Sequence, residues 1–243
     1  MIRLMTLAYG VVCYLLAMVT ILYAIGFIGG FAPISVDAGG PATETSKAVF
    51  IDLVLLGVFA IQHSVMARPA FKSAWTRIVP PSIERSTYVL FSSLVLALLY
   101  WQWRPIGGVV WSVTGPGAIV LLAIFWFGWA VLFISTFLIN HFDLFGLAQV
   151  WSAWRGTQRP APEFHTPFLY RVVRHPLYVG FMLTFWAAPT MTWGRVLFGA
   201  AASGYILIGI WLEERDLIEL FGDTYRDYRA RVSMLIPMPP RRG

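Results

Sequence analysis

Residues 4–31 contain no charged side chain at all. A helix needs about 20 mostly apolar residues to cross the hydrocarbon layer, and a helix satisfies every backbone group along such a run internally. Runs of similar character recur at 48–67, 87–103 and 113–139. Two shorter ones, 177–193 and 196–212, stand back to back around Thr192, Trp193, Gly194 and Arg195. They read as a helical hairpin whose first arm is kinked or ended by Pro189. A membrane β-barrel would instead alternate apolar and polar residues in segments of about ten, and no such pattern is present. The expectation is an all-α fold. It is a polytopic membrane helical bundle of about six transmembrane helices, including the C-terminal hairpin, plus a cytoplasmic amphipathic C-terminal tail.

Composition agrees. The chain of 243 residues is 58% hydrophobic and 12% charged, whereas soluble domains are about 45–50% apolar and about 25% charged. The net charge of +6 falls between the apolar runs, so it reports orientation rather than nucleic-acid binding. After the second run come Arg68, Lys72, Arg77 and Arg85 against Glu84; after the fourth come Arg155, Arg159, Arg171 and Arg174 against Asp143 and Glu163. The first connection carries Asp37, Glu44 and only Lys47. This alternation puts both basic loops and both termini in the cytoplasm, which an even number of crossings satisfies. Arg3 precedes the first run, as in a secretory signal, but the run is too long and lacks a small-x-small cleavage site. It is read as a spanning helix. The lone Cys13 lies inside it, so no intrachain disulfide is possible.

The chain reads as one integral membrane domain, 1–243, dividing softly near Asn140. Four long helices occupy 1–139. Residues 140–243 hold a loop, the hairpin and the tail. The loop, of about 35 residues rich in Trp, Pro and Arg, is long enough to suggest a function. In the tail, Gly222 can end one helix and Asp223 can cap the next. Pro237, Pro239 and Pro240 stop any helix beyond.

The most specific stretch is Arg174-His175-Pro176-Leu177-Tyr178-Val179-Gly180. Pro176 suits the first turn of a helix, where its missing N–H costs nothing. Arg174 and His175 then stand beside the free N–H groups of that helix, an anion site. Tyr178 adds an aromatic ring with a hydroxyl, and Gly180 permits close approach of backbone or ligand. As bare chemistry, Arg174 and His175 are equally readable as interfacial anchors. Beyond the hairpin, Glu213 and Glu214 form an adjacent carboxylate pair at a membrane boundary, which must be solvated, paired or bound to a cation.

Together RHPLYVG, the hairpin, EER at 213–215 and FGDTYRDYRARV at 221–232 resemble the isoprenylcysteine carboxyl methyltransferase group. Related methyltransferases of phospholipid amines and the C-terminal part of sterol reductases share pieces of the pattern. The resemblance implies a pocket for S-adenosylmethionine, with Arg174, His175, Pro176, Tyr178 and Gly180 on one side and Glu213 and Glu214 on the other. Aromatic rings nearby would favour the sulfonium by cation–π attraction.

The N-terminal half narrows the resemblance. Gln62-His63-Ser64-Val65-Met66-Ala67-Arg68, Glu84-Arg85-Ser86-Thr87-Tyr88, Asn140-His141-Phe142-Asp143-Leu144-Phe145-Gly146-Leu147 and Ala188-Pro189-Thr190-Met191-Thr192 look like the bacterial methanethiol S-methyltransferase family, which itself resembles the NnrU membrane proteins. That resemblance implies methylation of methanethiol to dimethyl sulfide, with hydrogen sulfide as a further acceptor, in the bacterial cytoplasmic membrane. The partners implied are a small thiol and the lipid bilayer.

Methyl transfer to sulfur needs a thiolate, because the thiol is a poor nucleophile. His63, His141 and Asp143 are candidate proton acceptors, and Arg85 or Arg68 a candidate stabiliser of the anion. Each also has a structural reading: His63 as an interfacial residue, His141 and Asp143 as a helix cap. His63, His141, His165 and His175 form no close-spaced ligand pair and thiolate ligands are absent, so no metal is expected. No Walker loop or GxGxxG turn is present. Two other functions remain open at this level: methylation of a larger lipid-like acceptor, and a non-catalytic NnrU-like role.

Overall fold

The computed structural model describes residues 1–161 and 163–238; Pro239 and Pro240 lie outside that set. In chain order its helices are α1 (Ile2–Gly29), α2 (Thr45–Ala67), α3 (Pro69–Trp75), α4 (Pro81–Gln102), α5 (Pro116–Ile139), α6 (His141–Leu144), α7 (Leu147–Arg155), α8 (Pro176–Trp186), α9 (Trp193–Phe221) and α10 (Asp223–Arg231). Two short strands, β1 (Val109–Ser112) and β2 (Thr190–Thr192), pair with each other. Five helices, α1, α2, α4, α5 and α9, are long and apolar enough to cross a membrane. The fold is an all-α membrane bundle. Large apolar side chains stand exposed along those helices, among them Phe50, Ile119, Phe127 and Trp211, which is the surface a lipid-facing helix presents.

Local chemistry sets the ends of these helices. Proline opens α4, α5 and α8 at the first turn, where no N–H is needed. Gly30 ends α1 in a left-handed conformation at φ 81° and returns its N–H to Gly26 O. Gly222, at φ 58°, separates α9 from α10, as expected from the tail sequence.

The residues group into two compact units interleaved along the chain. The first comprises Met1–Val110, His141–Pro160 and Met191–Phe198. In it α4 packs against α1 and α2, and α7 packs against α1. Ala17, Met66, Tyr88 and Val89 form one buried cluster, flanked by Met18, Phe71 and Phe145. Phe27, Trp103 and Phe198 form another through edge-on ring contacts of 5.6–5.8 Å. Gly10 faces Val150 so closely that a Cβ there would lie 2.4 Å from its Cγ2.

Arg195 belongs to this core and is 9% exposed. The sequence places it at a hairpin tip, but it is buried against the loop after α1. Its Nε donates to Asp37 Oδ2 at 2.7 Å and its Nη1 to Ile28 O at 2.7 Å. Thr192 Oγ1 donates to the other Asp37 oxygen at 2.7 Å. Asp52 is fully buried and accepts the Arg104 backbone N–H at 2.9 Å.

The second unit comprises Trp111–Asn140, Ala161–Thr190 and the chain from Gly199 onward. Its centre is α5 against α8. Gly128 and Gly180 face each other there, and a Cβ on Gly180 would lie 2.7 Å from Gly128 O and 2.8 Å from Leu132 N. Small residues let two membrane helices approach this closely. Trp129 and Phe181 pack edge-on beside them, centroids 6.3 Å apart.

The first hairpin arm differs from expectation. Helix α8 has only 11 residues, about 17 Å of rise against about 30 Å of hydrocarbon. It stops at Trp186, before Pro189 rather than at it. The chain continues extended, with Val113 donating to Pro189 O at 2.8 Å and Trp111 Nε1 to Ala188 O at 3.1 Å. Helix α8 meets α5 at mid-length, and the extended stretch ends beside the residues that precede α5. This apolar run is therefore a short helix followed by extended backbone, and α8 is not among the five helices long enough to cross a membrane. Helix α9, with 29 residues, is correspondingly longer than an arm of 17, and it carries Glu213 and Glu214 in its last turns. The loop expected at 140–175 also contains regular structure: α6, α7 and a 3-10 turn at Phe168–Arg171.

Candidate active site

The RHP and EE motifs converge in the second unit. His175 caps α8, followed by Pro176 at the first helical position. Arg174 Nε donates to Glu214 Oε1 at 2.7 Å, and His175 Nε2 lies 3.1 Å from the same oxygen. Arg229 Nε lies 3.7 Å from Glu214 Oε2. Glu214 is therefore enclosed by cations, and its side chain is 10% exposed. A buried carboxylate is tolerable only when paired in this way. Glu213 is different. Its side chain is 43% exposed, and Tyr178 OH donates to its Oε2 at 2.9 Å.

The C-terminal segment closes over this cluster. Val173 and Ser233 form a parallel bridge, Arg174 N–H donates to Ser233 O at 2.8 Å, and His175 N–H donates to Met234 O at 3.2 Å. Arg174 Nη1 donates to the carbonyls of Arg229 and Val232. Tyr228 OH donates to Tyr170 O at 2.6 Å. Phe164 packs on Phe221, Tyr225 and Tyr228 at centroid distances of 5.3–5.8 Å. Burial pushes the phenol of Tyr228 up to about 12 and raises those of Tyr170 and Tyr225 as well. All three hydroxyls keep their protons at neutral pH.

Arg174, His175, Pro176, Tyr178, Glu213 and Glu214 thus meet at one place. Gly180 sits one turn further along α8, and its close neighbour is the backbone of α5. The free anion site read from Arg174 and His175 is occupied from within, since both donate to Glu214. Sequence reasoning missed Arg229, Tyr170 and Tyr225 here. The aromatic and basic spacing in 221–232 was the only signal for Arg229 and Tyr225, and nothing in the loop singled out Tyr170.

The remaining candidates, His63, Arg85, His141 and Asp143, all lie in the first unit. The Tyr88 hydroxyl lies 2.9 Å from His63 Nε2 and 3.0 Å from Nδ1, and Ser92 Oγ lies 3.1 Å from Nδ1. Gln62 Nε2 reaches Met66 Sδ at 3.2 Å, while its buried Oε1 has no hydrogen-bond partner among the described residues. The Arg85 guanidinium stands 4.9 Å over the Tyr88 ring, and its Nε donates to Leu144 O at 2.8 Å. That carbonyl ends α6, the helix that carries His141 and Asp143.

His141 is buried and hydrogen-bonds through Nε2 with Tyr14 OH at 3.0 Å, with Phe145 4.9 Å from its ring. Burial lowers its pKa, so the imidazole is neutral at neutral pH. Asp143 pairs with Arg159 and accepts from Gln149 Nε2 at 3.0 Å. Tyr88, Ser92 and Tyr14 were not singled out from sequence. Arg85, Tyr88 and Ser92 recur at helical spacing on one face of α4, which was the available signal. Among the described residues, no group of three or more His, Cys, Asp or Glu is placed to hold a metal ion.

Comparison with known proteins gives close relatives along the whole chain. The Mycobacterium tuberculosis protein named methanethiol S-methyltransferase is 55% identical over 241 residues, covering 98% of each chain. Methanethiol S-methyltransferase 1 of Bradyrhizobium diazoefficiens is 56% identical, covering 94% of this chain and 81% of its own. More distantly, Nurim of Mus musculus is 30% identical over 68% of this chain and 66% of its own. No protein-family model matches the chain, and no solved structure matches it.

Proposed function

The chain belongs to the methanethiol S-methyltransferase family, and from that premise we propose that it transfers a methyl group from S-adenosylmethionine to methanethiol, giving dimethyl sulfide. The observation that carries the reading is the closure of Arg174, His175 and Tyr178 on Glu213 and Glu214, in a chain more than half identical to the two bacterial relatives.

The residues present fit such a donor. Glu213 keeps an exposed carboxylate suited to an ammonium or a ribose diol, and the buried Tyr225 hydroxyl has no hydrogen-bond partner among the described residues. Glu214 is fully engaged, so it shapes the pocket with Arg174 and His175. Tyr178 orients Glu213. Gly180 sets how closely α8 seats on α5. When bound, S-adenosylmethionine supplies an electrophilic methyl group on a sulfonium, and the aromatic side chains of this unit suit a cation.

The acceptor must lose its proton. His63 takes the thiol proton, held by Tyr88 and Ser92, and the positive charge of Arg85 next to Tyr88 favours the thiolate. His141, neutral and bonded to Tyr14, is the second candidate acceptor. Asp143, paired with Arg159, positions α6 beside Arg85. A displacement at carbon needs the nucleophile in line and water excluded, which the apolar, partly buried surroundings of His63 favour.

The charge pattern of the loops supports a bacterial cytoplasmic membrane location, with both termini and the donor site on the cytoplasmic side.

Purified protein in detergent, given S-adenosylmethionine and methanethiol, should release dimethyl sulfide into the headspace, read by gas chromatography, and Glu213→Gln should release several-fold less at limiting S-adenosylmethionine. Binding of S-adenosylhomocysteine without any product from methanethiol would sink the small-thiol assignment. Absence of that binding would sink the methyltransferase reading altogether.

A further inference from the structure

Three hydroxyls of the second unit invite comparison. Tyr178 OH donates to Glu213, and Tyr228 OH donates to Tyr170 O. Of the three, only Tyr225, 2% exposed, has a buried hydroxyl with no hydrogen-bond partner among the described residues. Folded proteins keep few such groups, because the hydroxyl has lost its water and gained nothing. The ring is held by Phe164, edge-on at 5.8 Å, and by Tyr228 at 5.7 Å. The hydroxyl therefore cannot turn towards solvent without unpacking α10.

Its neighbours are charged. Glu214, Arg174 and Glu213 all act electrostatically on the phenol. Two of these are already spent: Arg174 on Glu214 and on two carbonyls, and Glu214 on Arg174 and His175. The groups with capacity left are the exposed carboxylate of Glu213, an acceptor, and the Tyr225 hydroxyl, a donor. An acceptor and an uncharged donor within electrostatic reach of each other suit an α-amino acid, whose ammonium and carboxylate are separated by one carbon.

Building on the function proposed above, we infer that the Tyr225 hydroxyl donates a hydrogen bond to the carboxylate at the methionyl end of the methyl donor, while Glu213 receives its ammonium. Tyr225 is thus a binding residue for the amino-acid end. It carries no part of the methyl transfer itself.

The test uses the full chain in detergent and measures binding, not turnover. S-adenosylhomocysteine and 5′-methylthioadenosine, which lacks the amino-acid end, are titrated calorimetrically into wild type and Tyr225→Phe. The variant should bind S-adenosylhomocysteine roughly ten-fold more weakly, as for loss of one hydrogen bond to a charged group. Binding of 5′-methylthioadenosine should be unchanged. The melting temperature without ligand should stay level or rise, since the variant removes an unpaired hydroxyl and keeps the ring.

Equal affinity of wild type and variant for S-adenosylhomocysteine would overturn the inference while leaving the methyltransferase reading intact. Equal weakening of both ligands would overturn it by moving the contact to the nucleoside. A lowered melting temperature without ligand would make the hydroxyl a structural group and also overturn it. Failure of wild type to bind S-adenosylhomocysteine would remove both readings together.

Discussion

Arg174 Nε lies 2.7 Å from Glu214 Oε1 across 40 positions of sequence, and both side chains are nearly buried, at 11% and 10% exposure. This pair joins the start of α8 to the last turns of α9. The neighbouring carboxylate, Glu213, is 43% exposed. Two adjacent glutamates therefore differ in setting: one is locked into a buried ion pair and the other keeps an exposed carboxylate.

Their substitutions should separate accordingly. Glu214→Gln leaves Arg174 and His175 without their anion, and breaking a buried pair from one side costs about 3–5 kcal/mol. A large drop in melting temperature is expected even without ligand. Glu213→Gln should melt within a degree or two of wild type yet bind S-adenosylhomocysteine at least several-fold more weakly. Calorimetric melting and titration of the two variants decide this, and the reverse pattern would refute the division of roles.

Gly180→Ala should loosen α8 from α5. The added Cβ would meet backbone atoms of Gly128 and Leu132 at 2.7–2.8 Å, and neither can move without shifting α5. Overpacking of this kind costs about 1–3 kcal/mol, visible as a lower melting temperature.

Arg195→Met should cost about 3–5 kcal/mol by leaving Asp37 as a partly buried, unpaired charge. Combining it with Asp37→Asn should recover part of that loss. A double-mutant cycle from thermal melts gives the coupling, and additive effects would show that the pair is not a unit.

His141 gives a pH signature. Burial lowers its folded pKa below the unfolded value, which is about 6.5 for an unperturbed histidine. The unfolded chain therefore binds the proton first. Stability contributed by neutral His141 is full above about pH 6.5 and is lost as pH falls through that value towards the folded pKa. His141→Gln should flatten this part of the melting-temperature profile between pH 7 and pH 5. An unchanged slope would mean that other groups carry it.

His63→Ala should abolish most dimethyl sulfide production at neutral pH, with part returning at high pH where the thiol ionises unaided. Tyr88→Phe should retain measurable activity with a shifted pH profile, because it loses a hydrogen bond to His63 but keeps the ring under Arg85. Rates of headspace product against pH provide the check. A His63→Ala profile that merely scales down the wild-type curve would count against His63 as the proton acceptor.

How much of this was readable beforehand varies with range. Proline at the first turn of α8, the break at Gly222 and the membrane character of α1 depend on residues adjacent in the chain, and they matched. The first hairpin arm did not match. Its apolar run continues to Trp193, but hydrophobicity cannot tell a helix from an extended stretch whose backbone is satisfied by its neighbours, as residues 187–190 are by Trp111 and Val113. Tyr225 stayed unnoticed for a similar reason. A tyrosine in a polar tail looks like surface until the rings of Phe164 and Tyr228 are seen around it.

By itself the sequence determined that the chain is a helical membrane protein, and it singled out Arg174, His175, Glu213 and Glu214 as charged residues at the borders of its apolar runs. Both follow from local properties: uninterrupted apolar length, and residue types whose charge is too costly to leave idle at a membrane. Only the tertiary structure decided which charges are spent and which are available. Arg174 and His175 meet Glu214, Arg195 meets Asp37, and Gly180 meets Gly128, because helix packing brings together residues that sequence distance keeps apart. A buried ion must be neutralised by whichever partner that packing supplies, so the same side chain is a ligand site or a structural pair according to its neighbour.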